Sequence, residues 1–449
     1  MKRIDLSVQV CGVTFRNPII PGASDIILTE RGIMKCIEQG IGGILSKSFT
    51  SAEPRTRARP YHFHYKVFGK GFENNWISRG GAHVLSPEEA VEKLIPRWSR
   101  LCKDEGIPLI LSLADSDDVG EWVRDAKLFE DAGANMLELN FGCPHAHSET
   151  DKRITASLAE DLPLVKEIIS SVKKAVKMPV GGKLGIIFYP FVHHVKGWME
   201  AGIDFLTCHN SVSGMLIDVE QEIPFGGLGA GGYEMGPGYL ALNLGRTVEV
   251  MKLTGDLPIF ASGGVWESRD AIMYVLIGCT VVQVCQSIFK NGYGLFGDIV
   301  SGIEEWMDRK GYTSIDDFRG KVRDLASKSS RPELISMEWP FPMPEEKSSP
   351  VIPIIDTDKC ILCEKCEDFC LSGVFRVNKK KDSIDINHEN NCWGCGDCVG
   401  WCPVNAIKLI DRETKGVVWD GLSGLAKPYR RENWLVGQTK SKSSGLGSS

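Results

Sequence analysis

Two stretches of this 449-residue chain carry residue types whose spacing could do chemistry. The first is a pair of four-cysteine runs, CILCEKCEDFC at 360–370 and CWGCGDCVGWCP at 392–403, each spaced C-x2-C-x2-C-x3-C. Thiolates at that spacing hold [4Fe–4S] clusters. Zinc, the competing ligand, favours four donors from paired C-x2-C knuckles, and two four-cysteine runs argue against it. The second is ELNFGCPH at 138–145, where an apolar strand-like run breaks into Gly142-Cys143-Pro144. That lone cysteine stands apart from the eight that crowd between Cys360 and Cys402.

Elements must position these residues. From the start to about residue 310, short apolar runs alternate with amphipathic stretches. The strand candidates are 17–23, 42–48, 108–114, 136–141, 180–185, 205–210, 258–263 and 281–286. Helical patterns such as LTERGIMKCIEQ (28–39), DVGEWVRDAKLFEDA (118–132) and LVKEIISSVKKAV (164–176) separate most of them. Strands apolar on both faces and separated by helices predict a parallel sheet. Eight of them over this length predict a (β/α)8 TIM barrel, with a doubly wound open sheet as the alternative. Lys47, Asn140, Lys183, Asn210 and Gly263-Gly264 each fall at the C-terminal end of a candidate strand, the face on which barrels build active sites.

The expected boundaries are a barrel over 1–310, a polar, proline-rich linker over 311–350, and a small α+β cysteine module over 351–412. A tail over 413–449, partly disordered, follows. The fifteen cysteines sit in a chain with no signal-like start, so metal rather than disulfides and a cytoplasmic location are expected. A formal charge of −6 argues against nucleic acid as the main partner, and no run of 18 apolar residues predicts a membrane span. His62 and His64, flanked by aromatics in PYHFHY, read as packing rather than ligation, and His193-His194 lack metal spacing. Cys11, Cys36, Cys102, Cys208 and Cys279 read as small core residues.

Clusters that carry single electrons need a cofactor that converts them into hydride chemistry, which flavin does and nicotinamide alone does not. SGGV (262–265) and QVCQS (283–287), after the seventh and eighth strands, offer backbone N–H groups where barrels bind phosphate. GLGAGG (227–232) matches G-x-G-x-x-G but follows no clean strand and opens no helix, so it predicts an active-site loop rather than a dinucleotide fold. The chain then lacks a nicotinamide domain, and electrons must pass to or from a partner.

The barrel resembles the dihydroorotate dehydrogenase class of FMN barrels. The cysteine module is similar to bacterial ferredoxins. Together they resemble the FMN/iron–sulfur half of the dihydropyrimidine dehydrogenases, over nearly all of residues 1–412. LSKSFT (45–50), LELNFGCPH (137–145), GGKL (181–184), HNSVSG (209–214), ASGG (261–264) and VVQVCQSIF (281–289) carry the likeness. The resemblance implies FMN, two [4Fe–4S] clusters, and a separate FAD- and NAD(P)-binding flavoprotein partner in an oligomer. It implies that Cys143 protonates one carbon of an activated C=C bond. A thiol suits this, since a reference pKa near 8.5 keeps it protonated yet able to release the proton.

Asn74, Asn75, Asn140, Asn210 and Ser211 would then bind the substrate. Lys47, Ser48, Lys183, Gly227, Gly263, Gly264, Cys285 and Gln286 would hold the flavin. By the ferredoxin pattern the fourth cysteine of each run crosses over. Cys360, Cys363, Cys366 and Cys402 thus hold one cluster, and Cys392, Cys395, Cys398 and Cys370 the other. Leu371 stands where proline follows the fourth cysteine.

Three positions depart from the pyrimidine pattern. Gly142 replaces a serine, Asn75 or Trp76 replaces a glutamate, and His209 replaces a small hydroxyl residue. The expected reaction is reduction of the 5,6 double bond of uracil or thymine. A related flavin ene-reductase for another cyclic or conjugated substrate is the alternative. NFGCP is also similar to a loop of tRNA-dihydrouridine synthases, but the acidic balance and the cysteine module speak against RNA. An electron-transfer subunit without catalysis is disfavoured by the retained cysteine, lysines and asparagines.

Overall fold

The computed structural model describes residues 4–51, 64–66, 75–78, 85–143, 158–185, 191–224, 231–234, 236–328, 351–378, 380, 382–387, 389–392 and 394–421. They form two compact units that divide between Ser330 and Arg331. No described helix is long and apolar enough to cross a membrane.

All eight candidate strands of the first unit form and join one sheet. They are β1 (Ile19–Pro21), β2 (Ile44–Leu45), β3 (Leu109–Leu113) and β4 (Met136–Asn140), then β5 (Val180–Leu184), β6 (Phe205–Cys208), β7 (Ile259–Ser262) and β8 (Val281–Val284). Neighbours run in the order β1-β8-β7-β6-β5-β4-β3-β2, every pair parallel. The two ends of the sheet meet through a backbone bond from Gly42 N–H to Ile19 O at 2.7 Å. Helices α1 (Glu30–Glu38), α2 (Ile95–Asp104), α3 (Val119–Asp131) and α4 (Leu162–Ala175) follow the first four strands. Helices α5 (Phe191–Glu200), α6 (Gly238–Thr254), α7 (Ser268–Ile277) and α8 (Gly294–Lys310) follow the others. The result is a TIM barrel, nearly closed.

Its strands are buried on both faces, which is why they read as apolar runs rather than alternating ones. Aromatic rings fill the interior. Phe205 stacks on Phe260 at 4.6 Å, and Phe15, from the hairpin Val8–Val10/Val13–Phe15, meets Phe260 edge-on at 5.8 Å. Residues past 310 belong to the same packing. Ile315 and Phe318 are fully buried in the barrel's core, and Trp306 and Tyr312 pack on Phe318 at 4.9 and 5.5 Å. The polar stretch read as linker therefore starts with a segment fixed to the barrel.

Loops after β2 and β6 add a four-stranded antiparallel sheet, in the order Val212–Gly214, Gly231–Glu234, Trp76–Ser78, His64–Lys66. The last two glycines of GLGAGG thus lie in a strand, where the sequence suggested a loop.

In the second unit β9 (Val351–Ile355), β12 (Ile407–Asp411) and β13 (Val417–Trp419) form one antiparallel sheet. The hairpin β10 (Phe375–Asn378)/β11 (Ser383–Ile386) forms another. Two short helices, α9 (Lys365–Phe369) and α10 (Asp397–Gly400), each contain the third cysteine of a run. Val374, Phe375, Val399, Ile407 and Leu409 make its small core. A core this size gains much from a metal staple.

Candidate functional site

The stretch ELNFGC is divided between three environments by the strand's two-residue period. Asn140 ends β4 and sits in the polar cluster at the C-terminal face, 5% exposed. Phe141 is buried among the helices, its ring 5.2 Å from Trp122 of α3 and 5.1 Å from Trp198 of α5. Gly142 is buried against the end of β5. A Cβ there would stand 2.6 Å from Gly185 N and 2.7 Å from Leu184 C, so no other residue fits this backbone. Cys143 follows, half-buried, as the last described residue of the loop.

Around Asn140 the barrel face assembles a hydrogen-bonded set. Asn140 Nδ2 donates to Ser48 Oγ at 2.9 Å, and Asn210 Nδ2 donates to Asn140 Oδ1 at 3.2 Å. Ser211 N donates to Asn210 Oδ1 at 2.9 Å, and Tyr239 OH to Asn210 O at 2.8 Å. The structure thus brings Ser48, Asn140, Asn210 and Ser211 together, with Cys143 on the same loop as Asn140. Asn75 stands at the start of Trp76–Ser78 and accepts from Tyr233 OH at 3.2 Å. Asn74 and Gly227 lie outside the described residues.

The two lysines differ. Lys47 is tied to Asp25 by a 2.7 Å ion pair, with side-chain exposures of only 13% and 12%, so its charge is already answered by the chain. Lys183, on β5 in register with Asn140, is 6% exposed. Burial pushes the His209 imidazole down to about 3, and the Lys183 charge adds to it. His209 is therefore neutral at neutral pH, with a buried Nδ1 that has no hydrogen-bond partner among the described residues.

The loops after β7 and β8 lie side by side, joined by Ser287 Oγ donating to Val265 O at 2.7 Å. Gly263 and Gly264 have φ of 103° and 73°, and a Cβ on Gly264 would stand 2.2 Å from Leu240 N. Only glycine makes that turn against α6. Tyr274 OH donates to Gly263 O at 2.8 Å and holds the turn in place. Cys285 and Gln286 begin the short helix Gln286–Asn291, both half-buried. Gln283, on β8, is 1% exposed, and neither polar atom of its amide has a partner among the described residues. Buried amides without partners are rare in native interiors. Gln283, the His209 nitrogen and the glycine turn fit a polar heteroaromatic cofactor with a phosphate, as FMN is.

Sequence reasoning missed Ser112, Glu138, Thr207 and Asp25. Glu138 carried a signal, a carboxylate two residues before Asn140 and so on the same face of an apolar strand. Gln283 carried the same signal within VVQVCQ.

In the second unit Cys360, Cys363, Cys366 and Cys402 line one cavity, the grouping expected for the first cluster. Burial pushes the Cys398 thiol up to about 12, and the neighbouring Cys395, Cys392, Cys370 and Cys366 add to it. That neighbourhood contains the second expected set together with Cys366 of the first. Metal reverses the preference by binding thiolates. The two runs share their backbone. Leu362 and Glu364 have φ of 51° and 64°, and Gly394 and Gly396, at the matching positions, 74° and 82°. Val374 N donates to Cys370 Sγ, and Ala406 N to Cys402 Sγ, each at 3.2 Å. Such bonds to sulfur help set a cluster's potential.

Comparison with known proteins agrees with both units. Residues 5–307 match the dihydroorotate dehydrogenase family model, and residues 359–406 match a 4Fe-4S dicluster domain. The chain is 30% identical over 320 residues to the catalytic subunit of dihydroorotate dehydrogenase B (NAD(+)) of Methanothermobacter thermautotrophicus, covering 71% of this chain and 99% of that protein. It is 25% identical over 418 residues to the NAD-dependent dihydropyrimidine dehydrogenase subunit PreA of Escherichia coli K12, covering 90% of this chain and 95% of that one. A putative dihydroorotate dehydrogenase A (fumarate) of Aeropyrum pernix is 29% identical over 316 residues, covering 70% of this chain and 97% of that protein. The chain belongs to the dihydroorotate dehydrogenase family, as an oxidoreductase acting on CH–CH groups with FMN and two [4Fe–4S] clusters.

Proposed function

We propose that this chain is the FMN/iron–sulfur subunit of a two-subunit dihydropyrimidine dehydrogenase. It reduces the 5,6 double bond of uracil or thymine with electrons from an FAD- and NAD(P)-binding partner. The observation that carries this reading is the pairing of Asn140 with Asn210 at the C-terminal face, three residues from Cys143. The similarity to the dihydropyrimidine dehydrogenase subunit, which extends across both units, supports it.

Bound FMN would supply the hydride, and the clusters single electrons to replace it. The chain's residues do the rest. Asn140 and Asn210 orient a planar ring. Cys143 holds a proton on Sγ and gives it to the carbon that the hydride does not take, and its thiolate regains a proton from solvent. Lys183 places a positive charge in the interior where reduction adds negative charge. The thiols of the second unit accept the clusters, four to each.

Gly142 and His209 favour a second reading, a reductase for a different cyclic conjugated carbonyl compound. The first denies the site a serine hydroxyl, and the second adds an imidazole. An anaerobic assay with reduced methyl viologen as donor decides between them. Turnover of uracil or thymine supports the first reading. Turnover confined to other cyclic carbonyl compounds supports the second, and no turnover of any of them by fully loaded protein contradicts both.

A further inference from the structure

The barrel interior holds a carboxylate that the proposed reaction does not consume. Glu138 is fully buried on β4, and both of its oxygens accept hydrogen bonds. Ser112 Oγ donates to Oε1 at 3.2 Å, and Thr207 Oγ1 to Oε2 at 2.7 Å. A serine hydroxyl has a single proton. With that of Ser112 committed to Glu138, Ser48 is the donor in the 2.9 Å contact between Ser48 and Ser112. The proton of Ser48 is then committed as well, and its oxygen is left to accept Asn140 Nδ2–H at 2.9 Å.

The far side of Asn140 is set too. Its Oδ1 receives Gly142 N–H at 3.1 Å and Asn210 Nδ2–H at 3.2 Å, which fills an amide oxygen's two acceptor positions. Asn210 Oδ1 receives Ser211 N–H at 2.9 Å. From Asn210 through Asn140, Ser48 and Ser112, every donor points towards Glu138. These bonds use one of the two protons on each Nδ2. An asparagine left alone offers a ring edge both a donor and an acceptor. Asn140 has no acceptor position left.

We propose that Glu138 is a positioning residue. It sets the direction of the hydroxyl chain through Ser112 and Ser48, so that Asn140 meets the substrate as a donor to a ring carbonyl. The inference rests on the proposed reduction of a cyclic carbonyl compound at this site. A donor fixed on an oxygen conjugated with the C=C bond stabilises the negative charge that hydride addition sends there. It also selects for ring carbonyls over ring N–H groups at that point.

The test uses Glu138→Gln, which turns one acceptor into a donor, Ser112→Ala, which cuts the chain, and the double variant. FMN stoichiometry and cluster absorbance matching the wild type identify properly loaded protein. Binding of uracil, dihydrouracil, glutarimide and 2-pyridone is followed by the perturbation of flavin absorbance. Each single variant is expected to weaken carbonyl binding more than twofold and up to about tenfold, as for losing a hydrogen bond between neutral groups. The double variant should be no weaker than the worse single one, since both act through one chain. Ser112→Ala removes only one oxygen and keeps the test available if Glu138→Gln fails to fold. Binding within twofold of wild type in a loaded single variant overturns the inference, as does strict additivity. Wild type that binds none of the four overturns it as well. If wild type binds glutarimide or 2-pyridone but not uracil, and the variants lose that binding, the inference stands and the pyrimidine reading falls.

Discussion

At the scale of single residues, Gly142 and His209 mark where this site differs from the pyrimidine pattern, and the structure gives the first a physical cause and the second a physical consequence. Gly142 is required by backbone contact, since a Cβ there would press on Leu184 and Gly185. Gly142→Ser should cost about 1–3 kcal/mol. It should lower the unfolding midpoint by several degrees and bring no gain in uracil turnover, as calorimetry with an activity assay would show. His209 makes a pH prediction. Its folded-state value of about 3 lies below the reference value near 6.5 of an unfolded chain. The unfolded chain therefore takes up a proton below about pH 6.5 that the folded one refuses. Stability from the neutral imidazole is complete above that pH and is lost as pH falls towards 3, by about 1.4 kcal/mol per unit. Between pH 6.5 and 5 the wild type should lose about 2 kcal/mol more than His209→Gln, measured by denaturant unfolding of the two side by side.

At the scale of elements, the barrel was legible because parallel strands buried on both faces must be apolar runs, and all eight are present. The strand-end residues were legible for the same reason, because a polar residue closing such a run has to face the mouth. The hydroxyl network was not. Ser48 meets Ser112 64 residues away and Glu138 meets Thr207 69 away, and no local period encodes such pairings. Residues 311–328 were misread for a related reason. They lack periodicity, and only distant contacts such as the bridge from Asp5 to Ser314 and the burial of Phe318 fix them. Phe141 ties the loop that bears Cys143 to the helix layer between Trp122 and Trp198. Phe141→Ala should cost about 3–5 kcal/mol of stability. It should also lower turnover more than flavin binding, checked by comparing kcat with FMN content, because Asn140 and Gly142 lose their shared anchor.

At the scale of the whole molecule, the expected crossing of ligands would make the two cysteine runs one structural unit. Cys402 lies in the second run yet lines the cavity of the first three cysteines. Cys402→Ala should therefore damage the cluster of Cys360, Cys363 and Cys366. Iron should fall from about eight to about four per chain while the Cys392, Cys395 and Cys398 site stays loaded. Iron analysis combined with Cys363→Ala, which should lose the same cluster and add no further loss, checks this. If Cys402→Ala and Cys363→Ala removed different clusters, the crossed assignment would be wrong. The proposed reaction uses both units: electrons from the clusters and FMN would reduce a C=C bond, with Cys143 as the proposed proton donor. The most direct measurement is anaerobic stopped-flow mixing of dithionite-reduced protein with uracil. Flavin should reoxidise as dihydrouracil forms in the wild type, and at least about a hundredfold more slowly in fully loaded Cys143→Ala, the range for losing a general acid. Reoxidation at the same rate in both proteins, or none in the wild type with any cyclic carbonyl acceptor, would contradict the account.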